Sequence, residues 1–207
     1  VLRPIVAVAR FITFAAVALW DHPELRQRLQ EDDDMIEPFA QEVRRYYAFF
    51  PFVAAVVRDD FDWQGYRFPK NTRVLLDLYG TNRDRRTWID PEAFRPERFK
   101  QWNGSAYNFI TQGGGDYYRN HRCPGEWITI ELAKVGTTAL TRMMRYAVPD
   151  QDMSISINRF PMVPRSRFLI ENVASLIPVR EETAPEATYD LIGKQLQSNE
   201  RGIRKEH

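Results

Sequence analysis

Apolar residues cover nearly every side of a helical projection over residues 1–20, interrupted by Arg3, Arg10 and Thr13. A helix that is apolar all round is buried in a large domain or a membrane. Its charge-free run, residues 11–20, is well short of the roughly 18 residues of a spanning segment, so the pattern predicts a core helix. Asp21-His-Pro-Glu24 stops that helix and starts another, with the proline suited to the first turn and Asp21 or His22 as cap. Helical spacing returns over 38–47 and over 125–146, where Ile128, Leu132, Val135, Ala139 and Met143 recur as a predicted buried face. Between these stretches, alternating and β-branched residues predict strands at 52–57, 61–63, 66–68 and 73–79. Gln64-Gly65 is the tight turn of a hairpin, and 69–72 makes the next turn. Short helix starts are expected at 81–84 and 90–93, then an irregular meander to 102, and a last pair of strands at 154–158 and 167–173. The class is mainly α with a minor β part.

Length and charge narrow the functions open to such a chain. At 207 residues it can bury a substantial core, and 29 basic against 28 acidic residues give no electrostatic case for nucleic acid or an anionic membrane. It starts with Val, and its first helix has no capping residue or polar lead-in, as though cut inside an element. Composition turns polar and charged near the end, predicting a folded part over 1–182 and a loosely ordered tail over 183–207. A single cysteine implies no intrachain disulfide and accords with a reducing cytoplasm.

That cysteine, Cys123, lies in Gln112-Gly-Gly-Gly-Asp-Tyr-Tyr-Arg-Asn-His-Arg-Cys123-Pro-Gly-Glu126, a polar, glycine-rich loop that runs into an apolar helix. The glycines lack the Lys-Ser/Thr that a phosphate loop needs. Just ahead of a helix start, unpaired backbone N–H groups and the helix dipole favour negative charge on a sulfur. One thiolate cannot build a zinc or iron–sulfur site, whereas a haem iron takes a single axial thiolate. The alternatives are a buried structural cysteine and a nucleophile with His121 as its base. Arg119, His121 and Arg122 crowd the loop with cations, which suits a thiolate and the carboxylates of a haem better than an apolar core.

Upstream, Glu42-Val-Arg-Arg45 places Glu42 and Arg45 on one helical face, and Phe94-Arg-Pro-Glu-Arg-Phe99 follows. Any one such pair is an ordinary ion pair. In this order ahead of the cysteine loop, the three segments resemble the cytochrome P-450 superfamily. The resemblance implies that fold, with haem b as cofactor and Cys123 as the axial ligand of its iron. It places Glu42, Arg45 and Arg98 in a structural cluster behind the haem, and His121, Arg122, Gly114 and Gly125 around it. Against the general pattern F-x-x-G-x-R-x-C-x-G, Cys123 and Gly125 match, while Asp116, Arg119 and His121 stand where phenylalanine, glycine and arginine are expected. Gln112-Gly-Gly-Gly115 and His-Arg-Cys-Pro-Gly-Glu-Trp are similar instead to the bacterial fatty-acid peroxygenase branch. Arg3-Pro4 matches the dipeptide that in this branch replaces the usual acid–alcohol pair, with the proline expected to open a kink.

The branch implies a hydrogen-peroxide-dependent enzyme of the bacterial cytoplasm that needs no redox partner and oxidises long-chain fatty acids. Products would be α- or β-hydroxy acids, or terminal alkenes after loss of carbon dioxide. Arg3 would hold the substrate carboxylate through its two-pronged guanidinium, and Pro4 would shape the backbone beside it. Met162 and Val163 lie in a late loop that in the family reaches the substrate pocket. The chain would be a C-terminal half, needing the N-terminal half to complete the site. Three other readings remain: a reductase-dependent monooxygenase, a non-catalytic fragment unable to hold haem, and, for Arg3, a structural ion pair of which Arg10 is the better example.

Overall fold

The computed structural model describes residues 2–47, 49–120, 122–159 and 162–178, with side chains of the first helix described from Val6 onward. These residues form one compact unit, Val1–Leu176, and the first residues of a second, Ile177–His207. The expected tail over 183–207 lies outside the described residues. Helix α1 (Leu2–Asp21) carries the core, with Phe11, Phe14 and every residue from Ala15 to Leu19 buried. Helix α2 (Pro23–Glu31) opens on its proline, and His22 occupies the cap position without a side-chain cap bond. Asp21 instead accepts a hydrogen bond from Tyr47 Oη at 3.0 Å. Helix α3 (Ile36–Tyr46) is buried along most of its length, including Phe39, Val43 and three charged residues.

Strands β1 (Phe52–Val56) and β4 (Arg73–Asp77) pair antiparallel, with Ala54 opposite Leu75. Strands β2 (Phe61–Trp63) and β3 (Tyr66–Phe68) form the expected hairpin, turning through Gln64 at φ 49° and Gly65 at φ 79°. Two positive φ values in a two-residue loop match the right-handed twist of the flanking strands. The expected helix start at 81–84 falls earlier: α4 (Leu78–Thr81) is capped by Asp77, whose side chain accepts from the Gly80 backbone N–H at 2.7 Å. Residues 90–93 form a turn with Asp90 at φ 48°, and a short 3-10 turn, Pro96–Lys100, follows.

Helix α5 (Glu126–Thr138) ends earlier than its periodicity predicts. It passes through a π-helical turn, Ala139–Met143, into strand β5 (Met144–Ala147), which pairs with β6 (Glu171–Ser175). Tertiary partners explain the switch. Arg26 donates to the Leu140 carbonyl at 2.6 Å and Gln30 to the Thr141 carbonyl at 2.7 Å, so the freed helical acceptors are satisfied by α2. The predicted strand at 154–158 is correspondingly absent: only an isolated bridge, Ile155 to Pro164, forms there.

The face of α5 predicted to be buried is exposed in this chain. Ile128 and Val135 are 63% and 61% exposed, whereas Glu126, Thr129, Ala133, Gly136 and Thr137 face inward. Gly136 shows why. A Cβ there would sit 2.7 Å from Ile12 Cγ1, so α1 and α5 approach on a side that only small residues allow. Among the described residues no helix is long and apolar enough to cross a membrane.

Candidate functional site

Two consecutive arginines on α3 organise the interior. Arg45, with no exposed side-chain surface, grips Glu42 through Nε at 2.7 Å and Nη2 at 2.8 Å. Its remaining N–H groups donate to the backbone carbonyls of Asn82, Pro91 and Ala93 at 2.9, 3.0 and 3.3 Å. Arg98 adds a bond from Nε to Glu42 at 3.2 Å, and donates to the carbonyls of Ile89, Asp90 and Ala93. Burial lowers the Arg98 pKa, against the opposing pull of Glu42. The structure thus brings Glu42, Arg45 and Arg98 together, and their hydrogen bonds fasten the irregular segment after Trp88 to α3.

Arg44 faces the other way. It is fully buried and pairs with Glu126 at the start of α5, while Nη2 also donates to Thr111 Oγ1 and Gln112 Oε1, both at 3.1 Å. Glu126, itself only 3% exposed in its side chain, accepts two further bonds, from Arg122 Nε at 2.6 Å and Tyr117 Oη at 2.9 Å. Burial alone would raise the Glu126 pKa; Arg122, Arg44 and Tyr117 outweigh it, so the carboxyl is held below its ordinary range. Tyr117 is pushed up to about 12, first by burial and then by donating to that carboxylate. Arg122 also lies over the Tyr117 ring, 4.2 Å from its centroid. This hub was not anticipated from the sequence. The available signals were an Arg-Arg doublet on an amphipathic helix and an acidic residue opening an otherwise apolar one.

The cysteine hangs between these anchors. Cys123 is half-buried and free, its N–H donates to the Gln112 carbonyl at 2.9 Å, and its own carbonyl accepts from Glu126 N at 3.2 Å. The glycines ahead of it are needed for the fold of the loop. Gly115 has φ +82°, and a Cβ there would fall 2.5 Å from Asn120 Oδ1; a Cβ on Gly114 would fall 2.8 Å from Ile110 Cγ2. At Gly125 a Cβ would stand 3.7 Å from Cys123 Sγ, an ordinary contact.

Other residues nominated by the sequence are placed less closely. Arg3 and Pro4 lie at the start of α1; their side chains lie outside the described residues, as does His121. Met162 and Val163 are buried, and Met162 packs in the same cluster as Phe14 and Leu140. Arg10 Nε is buried without a hydrogen-bond partner. A cavity of about 610 Å³ is bordered by Arg44, Arg122 and Glu126 and by Trp102 and Trp127, but not by Cys123, Met162 or Val163.

Two features of the loop fit a haem. No group of three or more His, Cys, Asp or Glu is assembled among the described residues, and a lone cysteine suits a haem iron, which takes its other donors from the prosthetic group. Arg122, next to Cys123 in the chain, shares the one Glu126 carboxylate with Arg44, so the loop carries a cation that an acidic cofactor edge could meet.

Comparison with known proteins gives concordant results. The family model described as Cytochrome P450 matches residues 9–170. The solved structure of cytochrome P450SP alpha (CYP152B1) in complex with (R)-ibuprophen is 52% identical, superposes with a TM-score of 0.79, and matches 84% of this chain and 43% of its own. Cytochrome P450EX alpha (CYP152N1), solved with myristic acid, is 42% identical with a TM-score of 0.78, over 84% of this chain and 43% of its own. Melianol synthase CYP71BQ4 of Citrus sinensis is 27% identical over 72% of this chain and 31% of its own length. The chain therefore spans less than half the length of these relatives.

Proposed function

The chain belongs to the cytochrome P450 superfamily, in its CYP152 branch, and on that premise we propose that it forms part of a haem-thiolate peroxygenase that uses hydrogen peroxide to oxidise a fatty acid near its carboxylate. The observation that carries the proposal is the single cysteine on a loop held at both ends to α3, with Arg122 next to it in the chain. Haem iron is the cofactor of this family, and when bound it supplies the centre at which peroxide oxygen is activated. Cys123 would hold the iron and would donate electron density to it through the sulfur. Arg122, Gly114, Gly125 and His121 are proposed to help hold the same group.

Arg3 is assigned to the substrate. A guanidinium in an apolar helix needs an anion, and its planar fork matches a carboxylate through two parallel hydrogen bonds. The bound carboxylate then holds the proton position that an acidic side chain would otherwise fill, with Pro4 shaping the backbone next to it. Likeness to a CYP152 protein solved with myristic acid supports a fatty acid as the occupant. Met162 and Val163 are proposed to line the acyl channel. Completing the site requires the remainder of the protein, and neither a redox partner nor nucleic acid enters the proposal.

The test is a peroxide assay of the full-length protein with no reductase present. Arg3→Ala should nearly abolish oxidation of long-chain fatty acids, and Arg3→Lys should substitute poorly because a point charge lacks the fork. A small external carboxylic acid should partly restore turnover of substrates without a carboxylate. The likeness to plant CYP71 proteins favours a second reading, a reductase-dependent monooxygenase. Wild-type activity that requires an electron-transfer partner would select it.

A further inference from the structure

We propose that Glu126 is a positioning residue for Cys123, its buried carboxylate clamping the cysteine loop to α3 and thereby holding the sulfur in place for the metal. The inference rests on the haem-thiolate reading above. Its basis is a closed circuit of hydrogen bonds. Arg44 reaches from α3 to Glu126, three residues after the cysteine, and to Gln112, whose carbonyl accepts the Cys123 N–H. One guanidinium therefore fixes the residues that hold the cysteine backbone on each side. Arg122, next to the cysteine, and Tyr117, midway along the loop, converge on the same carboxylate. Gln112 Nε2 also donates to Thr129 Oγ1 at 3.4 Å, and that hydroxyl donates to the Gly125 carbonyl at 2.8 Å, so the first turn of α5 is tied to the same loop.

The cost of such a group indicates its purpose. Glu126 takes a charge out of water, which is tolerated only with good geometry and filled lone pairs. A carboxylate at the first residue of a 13-residue helix also meets the positive end of its dipole. A neutral side chain of the same shape would relieve the burial cost but release Arg44 and Arg122. The carboxylate thus does two things together. It pins three donors from separate parts of the chain, and it moderates the positive charge beside the sulfur.

The experiment uses the full-length, haem-loaded protein and reads the ferrous carbon monoxide spectrum, the haem affinity and the haem reduction potential rather than turnover. Glu126→Gln keeps the shape and removes the charge. Conversion of the thiolate-ligated form to the thiol-ligated form should accelerate, and haem affinity should fall by about 10- to 100-fold, the usual range for partners that orient a metal ligand. The reduction potential should move in the positive direction, because two cations lose their shared counter-charge. Glu126→Asp should recover part of each. Tyr47→Phe, which removes a part-buried hydrogen bond to Asp21 outside the hub, serves as a control of general destabilisation and should leave the conversion rate unchanged. If Glu126→Gln does not fold, Tyr117→Phe removes one donor to the same carboxylate and should move the conversion rate in the same direction, by less. A Glu126→Gln protein, or failing that a Tyr117→Phe protein, with wild-type conversion rate and potential would overturn the inference. A wild-type protein with no thiolate spectrum would instead overturn the haem-thiolate reading on which it rests.

Discussion

Arg44 and Arg45 are adjacent in sequence and equally buried, yet they anchor regions of different character. Arg45 is surrounded by acceptors. Glu42 binds it twice, three backbone carbonyls take its other N–H groups, and Arg98 is saturated in the same way. Arg44 has side-chain partners instead, its Nε has none, and Glu126 is shared with Arg122. The first cluster reads as scaffold, since backbone carbonyls cannot be traded for a ligand. The second is built from side chains that tie the cysteine loop to α3. One helix holds both the meander and the cysteine loop by directing two adjacent guanidiniums to different partners.

Breaking the scaffold should have the largest effect. Glu42→Ala strands Arg45 and Arg98 without their shared carboxylate and should cost about 3 to 5 kcal/mol, checked by denaturant unfolding of the full-length protein. A variant as stable as wild type would mean that the backbone carbonyls alone suffice. Next comes the packing that brings both clusters together. Gly136→Ala must push Ile12 aside and should cost about 1 to 3 kcal/mol by the same measurement.

The smallest effect belongs to a buried polar contact outside both clusters. Tyr47 donates to Asp21, and Tyr47→Phe should cost about 1 kcal/mol near neutral pH. Burial, with the Asp21 charge, raises the Tyr47 pKa in the folded protein. A raised phenol favours the neutral form when folded. Its contribution is therefore complete below the ordinary tyrosine value of about 10 and declines as pH rises beyond it. The stability difference between wild type and Tyr47→Phe should shrink on that alkaline side and stay constant below it. A difference that is flat through pH 11 would remove the assigned coupling.

The unequal legibility of the two arginines in the sequence has a physical cause. Glu42 and Arg45 stand three apart on one helix, so their pairing follows from helical geometry, and Arg98 came with a recurrent motif. Arg44 pairs with a residue 82 positions away, and no local rule connects them. The hairpin at Gln64-Gly65 was legible because its turn chemistry is local. Helix α5 was read too long, and its face predicted to be buried is exposed in this chain. Its outer residues are as apolar as core residues, and its inward side is made of small and polar ones chosen by Ile12, Arg44 and Gln112 rather than by hydrophobic spacing. The partner of β6 was missed for a similar reason, because β5 emerges from what reads as continuing helix.

The central claim is that Cys123 supplies the axial sulfur of a haem. Its most direct test is the ferrous carbon monoxide spectrum of the purified full-length protein, recorded for wild type and for Cys123→Ala. The account predicts the band position diagnostic of thiolate ligation in the wild type and its complete loss in the variant, since the loop offers no other sulfur to replace it. A thiolate band that survives Cys123→Ala, or a wild-type protein that binds no haem, would contradict it.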